Sequence, residues 1–82
     1  MTVRLADDAT ILLEGVCPIE DAETLLHHLV ATPHAAVDWR GCDQAHTAVV
    51  QVLLAAKPTL RGPPRGAFLR QLVAPLLVAA AG

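Results

Sequence analysis

The feature that most constrains the fold is the stretch from residue 35 to residue 57, which reads AAVDWRGCDQAHTAVVQVLLAAK. It begins with a short apolar run, passes through a polar turn at residues 38–47 and ends in a segment with almost no polar side. A strand that leads through a polar turn into a buried helix is typical of α/β folds, which place ligands and regulatory groups where backbone N–H groups converge. The polar turn is therefore the predicted functional site.

Length and composition indicate one small domain, residues 1–82. A chain of 82 residues buries only about 60% of the surface that it exposes when unfolded, so every element must contribute to one core. That core is aliphatic, because 54% of the residues are hydrophobic while Trp39 and Phe68 are the only aromatic ones. The formal net charge of -2 and the lack of aromatic stacking residues argue against nucleic-acid binding.

Cysteine usage and hydropathy predict a cytoplasmic protein. Cys17 and Cys42 are too few for a disulfide framework and are expected to be reduced thiols. The N-terminal sequence lacks a signal pattern, and the uncharged C-terminal run, residues 71–82, is too short for a bilayer that needs about 20 apolar residues. No direct insertion into a membrane is expected.

A β-hairpin and a helix are predicted before the central stretch. Residues 2–6 and 10–14 are β-compatible runs separated by the turn residues Ala6-Asp7-Asp8-Ala9, and Gly15 follows them as a break. From Ile19 the apolar residues recur at helical spacing behind an acidic first turn, so a helix is expected that ends before Pro33.

The central stretch itself predicts a strand and a buried helix. A strand at residues 35–39 would run parallel to residues 10–14, because a helix connects the two. Residues 47–57 form a helix in which Gln51 is the only polar residue inside. A helix that is apolar on all sides is buried on more than one side or lies in an oligomer interface.

The C-terminal part predicts a short strand and a last helix. Residues 59–61 leave room for the strand, and a loop rich in proline and glycine follows. Pro75 should kink or restart the helix. Its apolar residues are expected on one face: Phe68, Leu69, Leu72, Val73, Leu76, Leu77 and Ala80. The predicted fold is α/β, a small mixed sheet of three to four strands covered by about three helices.

The polar turn holds residue types that can support metal, thiol or phosphate chemistry, namely Asp38, Cys42, Asp43, His46 and Thr47. A structural zinc site needs four ligands, and Cys17 is the only cysteine besides Cys42, so a metal is disfavoured. A Cys42–His46 nucleophile pair oriented by an aspartate is an alternative, but so short a chain leaves little room for a substrate pocket. No catalytic residue, metal ligand or cofactor is predicted.

Thr47 has two possible roles at the start of the second predicted helix. Its hydroxyl can satisfy a free backbone N–H, as an N-cap or first-turn residue does. It can also accept a phosphate, which a helix N-terminus stabilises. The residues favour the capping role and leave open the role of Thr47 as a switch controlled by phosphorylation.

The residues around this turn resemble the central signature of STAS domains, the sulfate-transporter and anti-sigma-factor-antagonist family. The resemblance is carried by Val37-Asp38-Trp39-Arg40-Gly41-Cys42, His46-Thr47-Ala48 and Val52-Leu53-Leu54, with Leu13-Glu14-Gly15, Ala22, Leu25 and Leu29 upstream. In that family an apolar strand ends in Asp-Leu-Ser, and an Asp-Ser-Ser-Gly-like elbow precedes a Leu-rich helix. Aligned on Asp38, the family's phospho-acceptor falls on Thr47 and its elbow aspartate on His46, while Val49 stands where glycine is common.

The resemblance implies a non-catalytic bacterial regulatory module that docks on a protein partner such as an anti-sigma kinase. The docking surface would be the turn and the second helix, with Thr47 as phospho-acceptor beside Asp38, Asp43, His46 and Gln51. The family also serves in chemotaxis-linked complexes and as small subunits of lipid transporters. A homodimer or homo-oligomeric scaffold is the structural alternative.

Overall fold

The computed structural model of the chain describes residues 2–6 and 9–81. Within these residues, four strands form one sheet in chain order: β1 (Val3–Leu5), β2 (Thr10–Cys17), β3 (Ala36–Ala45) and β4 (Leu60–Arg61). The helices are α1 (Glu20–Ala31), α2 (Thr47–Ala56) and α3 (Ala74–Ala81), and a π-helical segment, Leu69–Val73, directly precedes α3. The fold is α/β, as predicted, and the short last strand is present.

The N-terminal hairpin is confirmed, but its second strand is longer than predicted. β1 and β2 are antiparallel, with Val3 opposite Leu13; the turn residues Asp7 and Asp8 lie outside the described residues. β2 continues past Gly15, which has a φ of 72°, and the register with β3 shifts directly after it. Gly15 is therefore part of an irregularity within the strand, where its left-handed backbone is tolerated, and does not end the strand.

Parallel pairing through two helical crossovers builds the rest of the sheet. Ile11 in β2 lies opposite Val37 in β3, and Val37 lies opposite Leu60 in β4. Both crossovers advance in the same direction across the sheet, so right-handed connections place α1 and α2 on the same face. Ile11 and Val37 on that face are fully buried, whereas the opposite face of the sheet is open to solvent.

β3 differs most from the prediction. A strand was expected only at residues 35–39 with a polar turn after it, but β3 spans ten residues, so the polar residues from 38 to 45 belong to the strand. Within it, Trp39 and Cys42 are buried against the helices while Arg40 and Gln44 are exposed. The predicted turn is wrong because a sheet with one open face accepts polar side chains without leaving the strand.

The C-terminal helix has two apolar rows instead of one apolar face. Leu69, Val73 and Leu77 are buried, but Phe68, Leu72 and Leu76 are 66%, 58% and 62% exposed; the side chain of Ala80 lies outside the described ones. The geometry changes from π- to α-helical at Ala74, beside Pro75, which agrees with the interruption that proline predicts. Among residues 2–6 and 9–81, none of the helices has the length and apolar character of a membrane span.

The segment at residues 62–66 lies along the outer edge of β3 beyond the short strand β4. The Gly66 N–H donates to the Cys42 carbonyl at 3.0 Å, and the Arg65 guanidinium donates to both carboxylate oxygens of Asp43 at 2.6 and 2.8 Å. A β-carbon on Gly66 would overlap the Asp43 carbonyl. This segment therefore covers β3 only because residue 66 has no side chain.

We expect Gly66→Ala to lower the free energy of unfolding by about 2–3 kcal/mol, because the added methyl group collides with the fixed backbone of β3. The matched control is Gly41→Ala, whose added β-carbon would meet Glu14 Cγ at an ordinary contact distance of 3.6 Å. This control should change the free energy by less than about 0.5 kcal/mol. Urea denaturation measures both, and equal midpoints for the two variants would contradict the placement of this segment.

Candidate recognition site at the start of helix α2

The start of α2 is tied to the end of β2 through His46. His46 is the N-cap, and its Nδ1 accepts a hydrogen bond from the Ala48 N–H at 3.0 Å. The His46 N–H donates to the Cys17 carbonyl at 2.9 Å, and the His46 carbonyl accepts from Val49 at 2.9 Å. A side-chain acceptor at the N-cap satisfies a first-turn N–H that has no partner in the helix.

Thr47 is the first helical residue and is exposed. Thr47 occupies the first-turn position, but the predicted capping role of its hydroxyl is wrong, because His46 provides the cap. The Thr47 hydroxyl makes no hydrogen bond within residues 2–6 and 9–81. The helix start therefore does not require this hydroxyl, which faces solvent.

The predicted site residues are divided between two places. His46, Thr47 and Gln51 lie together, because Gln51 is one helical turn after Thr47 and both are exposed. Asp38 lies near the opposite end of β3, opposite Leu12 and Arg61. Since a strand rises about 3.3 Å per residue, Asp38 is roughly 20 Å from the end of β3 and does not join the surface around Thr47.

The two aspartates are held by arginines. The Arg40 side chain donates to Asp38 at 3.0 and 2.7 Å, and the Arg40 backbone N–H adds a third hydrogen bond at 3.1 Å. These bonds, with the positive charges of Arg40 and Arg61, hold the pKa of the Asp38 carboxyl below its usual value. The Arg65 guanidinium likewise lowers the pKa of Asp43. Both carboxylates are thus ion-pair partners that organise the surface of the protein.

A groove between α1 and α2 lies next to Thr47 and was not predicted. Its volume is about 520 Å³. The lining residues are Ala22, Glu23, Leu26, Ala48, Gln51, Val52, Ala55 and Ala56. Only Val49 and Leu53 of α2 are buried, so the groove side of α2 is not buried within the chain, and an oligomer interface on that side stays a prediction. The sequence feature that could have predicted the groove is the set of small residues on one face of α2, which leaves space beside Leu26.

The Cys42–His46 nucleophile pair and the metal site, the two alternatives considered from the sequence, gain no support from the geometry. Cys42 is fully buried on the core face, and its sulfur contacts the Gln44 carbonyl at 3.4 Å, while the His46 Nδ1 is engaged by Ala48. Cys42 and His46 therefore do not form an exposed nucleophile pair. In the part of the chain that the structure describes, no group of three or more potential ligands is arranged to hold a metal.

Comparison with models of protein families, with curated proteins and with solved structures gives no match to this chain. The fold and the site define a small α/β protein with an exposed hydroxyl at a helix start and an apolar groove beside it. The likeness to STAS domains rests on the sequence motif alone.

We expect His46→Ala to lower the free energy of unfolding by about 1 kcal/mol, because the variant loses the acceptor for the Ala48 N–H. His46→Asn should restore most of this loss, since asparagine is a favoured N-cap residue. Thr47→Ala should change the free energy by less than about 0.5 kcal/mol. Urea denaturation of the three variants tests the assignment, and a larger loss for Thr47→Ala than for His46→Ala would refute it.

Proposed function

We propose that this chain is a non-catalytic regulatory module, similar to anti-sigma-factor antagonists, that binds a protein partner at the start of α2. The binding surface consists of Thr47, Gln51 and the groove between α1 and α2, and we refer to it as the α2 surface. The observation that carries the proposal is an exposed, unbonded hydroxyl at the first helical position directly beside an apolar groove.

Phosphorylation of Thr47 is the proposed switch. A phosphate carries nearly two negative charges at neutral pH, and the positive end of the helix dipole stabilises it at the first helical position. His46 stands where the family has an acidic residue, and a histidine does not repel a neighbouring phosphate as an aspartate does. This departure from the family pattern is therefore compatible with a phosphorylated threonine.

The charge around the groove indicates what kind of partner fits. The first turn of α1 is acidic, with Glu20, Asp21 and Glu23, and Glu23 lines the groove. A partner would insert an apolar side chain beside Leu26 and place basic residues near the acidic turn. Phosphate on Thr47 would add negative charge at the edge of this apolar surface and change the affinity for the partner.

We expect a purified anti-sigma-type kinase from the same genome to add one phosphate to the chain and none to Thr47→Ala. The matched control is Thr59→Ala, which removes another exposed threonine and should be phosphorylated like the parent chain. Intact-mass measurement distinguishes the variants. Equal phosphate on the parent and on Thr47→Ala would refute the switch and leave the docking proposal standing.

Docking has its own test with the same kinase. Leu26→Lys places a charge in the groove and should weaken binding about tenfold or more, whereas Val30→Lys changes an α1 residue that is 71% exposed and does not line the groove. Calorimetry measures both affinities. Binding of Leu26→Lys as tight as that of the parent chain would refute the α2 surface as the docking site.

A second function, as a structural subunit, is favoured by the exposed row Phe68, Leu72 and Leu76. These residues are four apart on the C-terminal helix, and each exposes more than half of its surface. Such a row is typical of a helix that packs on another chain. In this alternative the protein is a homo-oligomeric scaffold, or a small subunit of a lipid-transporter or chemotaxis complex.

Sedimentation at several concentrations tests the homo-oligomeric form of this alternative. The homo-oligomeric scaffold predicts that the average mass of the parent chain and of Val30→Lys rises with concentration. The average mass of Leu72→Lys should stay that of a monomer. The reason is that a lysine at position 72 interrupts the exposed row, while position 30 lies on another helix. A parent chain that is monomeric at every concentration would refute the scaffold.

A further inference from the structure

Two buried thiols face each other across β2 and β3, outside the α2 surface. The sulfurs of Cys17 and Cys42 are 4.0 Å apart, and the two residues are 1% and 0% exposed. The Cys17 sulfur has only long contacts to the Thr2 and Glu14 carbonyls, each at 3.9 Å. The other thiol is therefore part of the immediate surroundings of each cysteine.

We propose that Cys17 and Cys42 form a redox site, in which a small disulfide oxidant converts the two thiols into a disulfide between β2 and β3. A disulfide needs sulfurs about 2.05 Å apart, so the two sulfurs must approach by roughly 2 Å. Cys17 and Cys42 are not directly opposite each other in the register, so closing this gap takes a local movement of the backbone as well as rotation of the side chains. The inference depends only on this geometry and is independent of the proposed function.

The register of the two strands places the thiols diagonally from each other. Gly15 lies opposite Cys42, but Cys17 lies opposite Ala45, because the pairing shifts between Gly15 and Val16. Cys17 and Cys42 lie on the same buried face, on neighbouring strands. Sequence separation gave no indication of this, since the two positions are 25 residues apart.

The two thiols are not equivalent. The hydrogen bond from Cys17 lowers the pKa of the Cys42 thiol, and the same bond together with burial raises the pKa of Cys17. Because the thiolate is the attacking species, Cys42 attacks first. Its thiolate bonds to one sulfur of glutathione disulfide and releases one glutathione.

The second step closes the disulfide. The Cys17 thiolate attacks the Cys42 sulfur of the mixed disulfide, forms the Cys17–Cys42 bond and releases the second glutathione. The two electrons and two protons of the protein thiols end on the two glutathione molecules. Since both sulfurs are buried, the reaction needs a local opening, which makes it slow without changing its equilibrium.

The test compares the same thiol pair in the folded and in the unfolded chain. The parent chain is brought to equilibrium in glutathione and glutathione disulfide buffers of graded ratio, with and without urea, starting from both the reduced and the oxidised form. After acid quenching, alkylation in denaturant and intact-mass analysis count the free thiols. We expect a monomer that has lost both free thiols and two hydrogens. The effective concentration of one thiol relative to the other, obtained from the equilibrium with glutathione, should be about tenfold or more higher in the folded chain than in urea.

Cys17→Ala and Cys42→Ala provide the mass controls, because each can form only a glutathione adduct or an intermolecular disulfide. The decisive comparison uses the parent chain, so it does not depend on the folding of these variants. Folded chain that ends as glutathione adducts or as linked dimers would overturn the proposal. An effective thiol concentration no higher in the folded chain than in urea would overturn it as well.

Discussion

The position of β3 between β2 and β4 is the constraint on which the rest of this structure depends. Its buried residues Val37, Trp39 and Cys42 supply the centre of the core, and its end positions the first turn of α2. Parallel pairing on both sides requires two helical crossovers, which cover one face of the sheet. In a domain of this size no second core exists to compensate, so the proposed α2 surface depends for its geometry on this one strand.

Much of this arrangement could be predicted because the signals are local. The spacing of apolar residues and Pro33 define α1, and a helix between two strands makes them parallel. The polar residues of β3 could not be assigned in this way, since polarity is equally compatible with a turn and with the open face of a sheet. Gly15 presents the same ambiguity, because a glycine can end a strand or occupy an irregular position within it.

The surfaces were harder to predict than the elements. Apolar periodicity identified the C-terminal helix, but the rows containing Leu69 and Phe68 differ in burial because the sheet meets only one of them. Thr47 was predicted to be an N-cap or first-turn residue, whereas the groove beside it depends on how α1 and α2 pack. The contact between Cys17 and Cys42 depends on how β2 and β3 are aligned in the sheet, which residue spacing does not encode.

The α2 surface and the thiol pair are joined by the backbone of β2. The His46 N–H, which belongs to the N-cap of α2, donates to the carbonyl of Cys17 at 2.9 Å. A movement of Cys17 on disulfide formation would therefore reach the start of α2 through one hydrogen bond. Any such coupling is reciprocal, because it is a free energy shared by the two sites. If oxidation changed the affinity for a partner by some factor, the partner would change the thiol–disulfide equilibrium constant by the same factor.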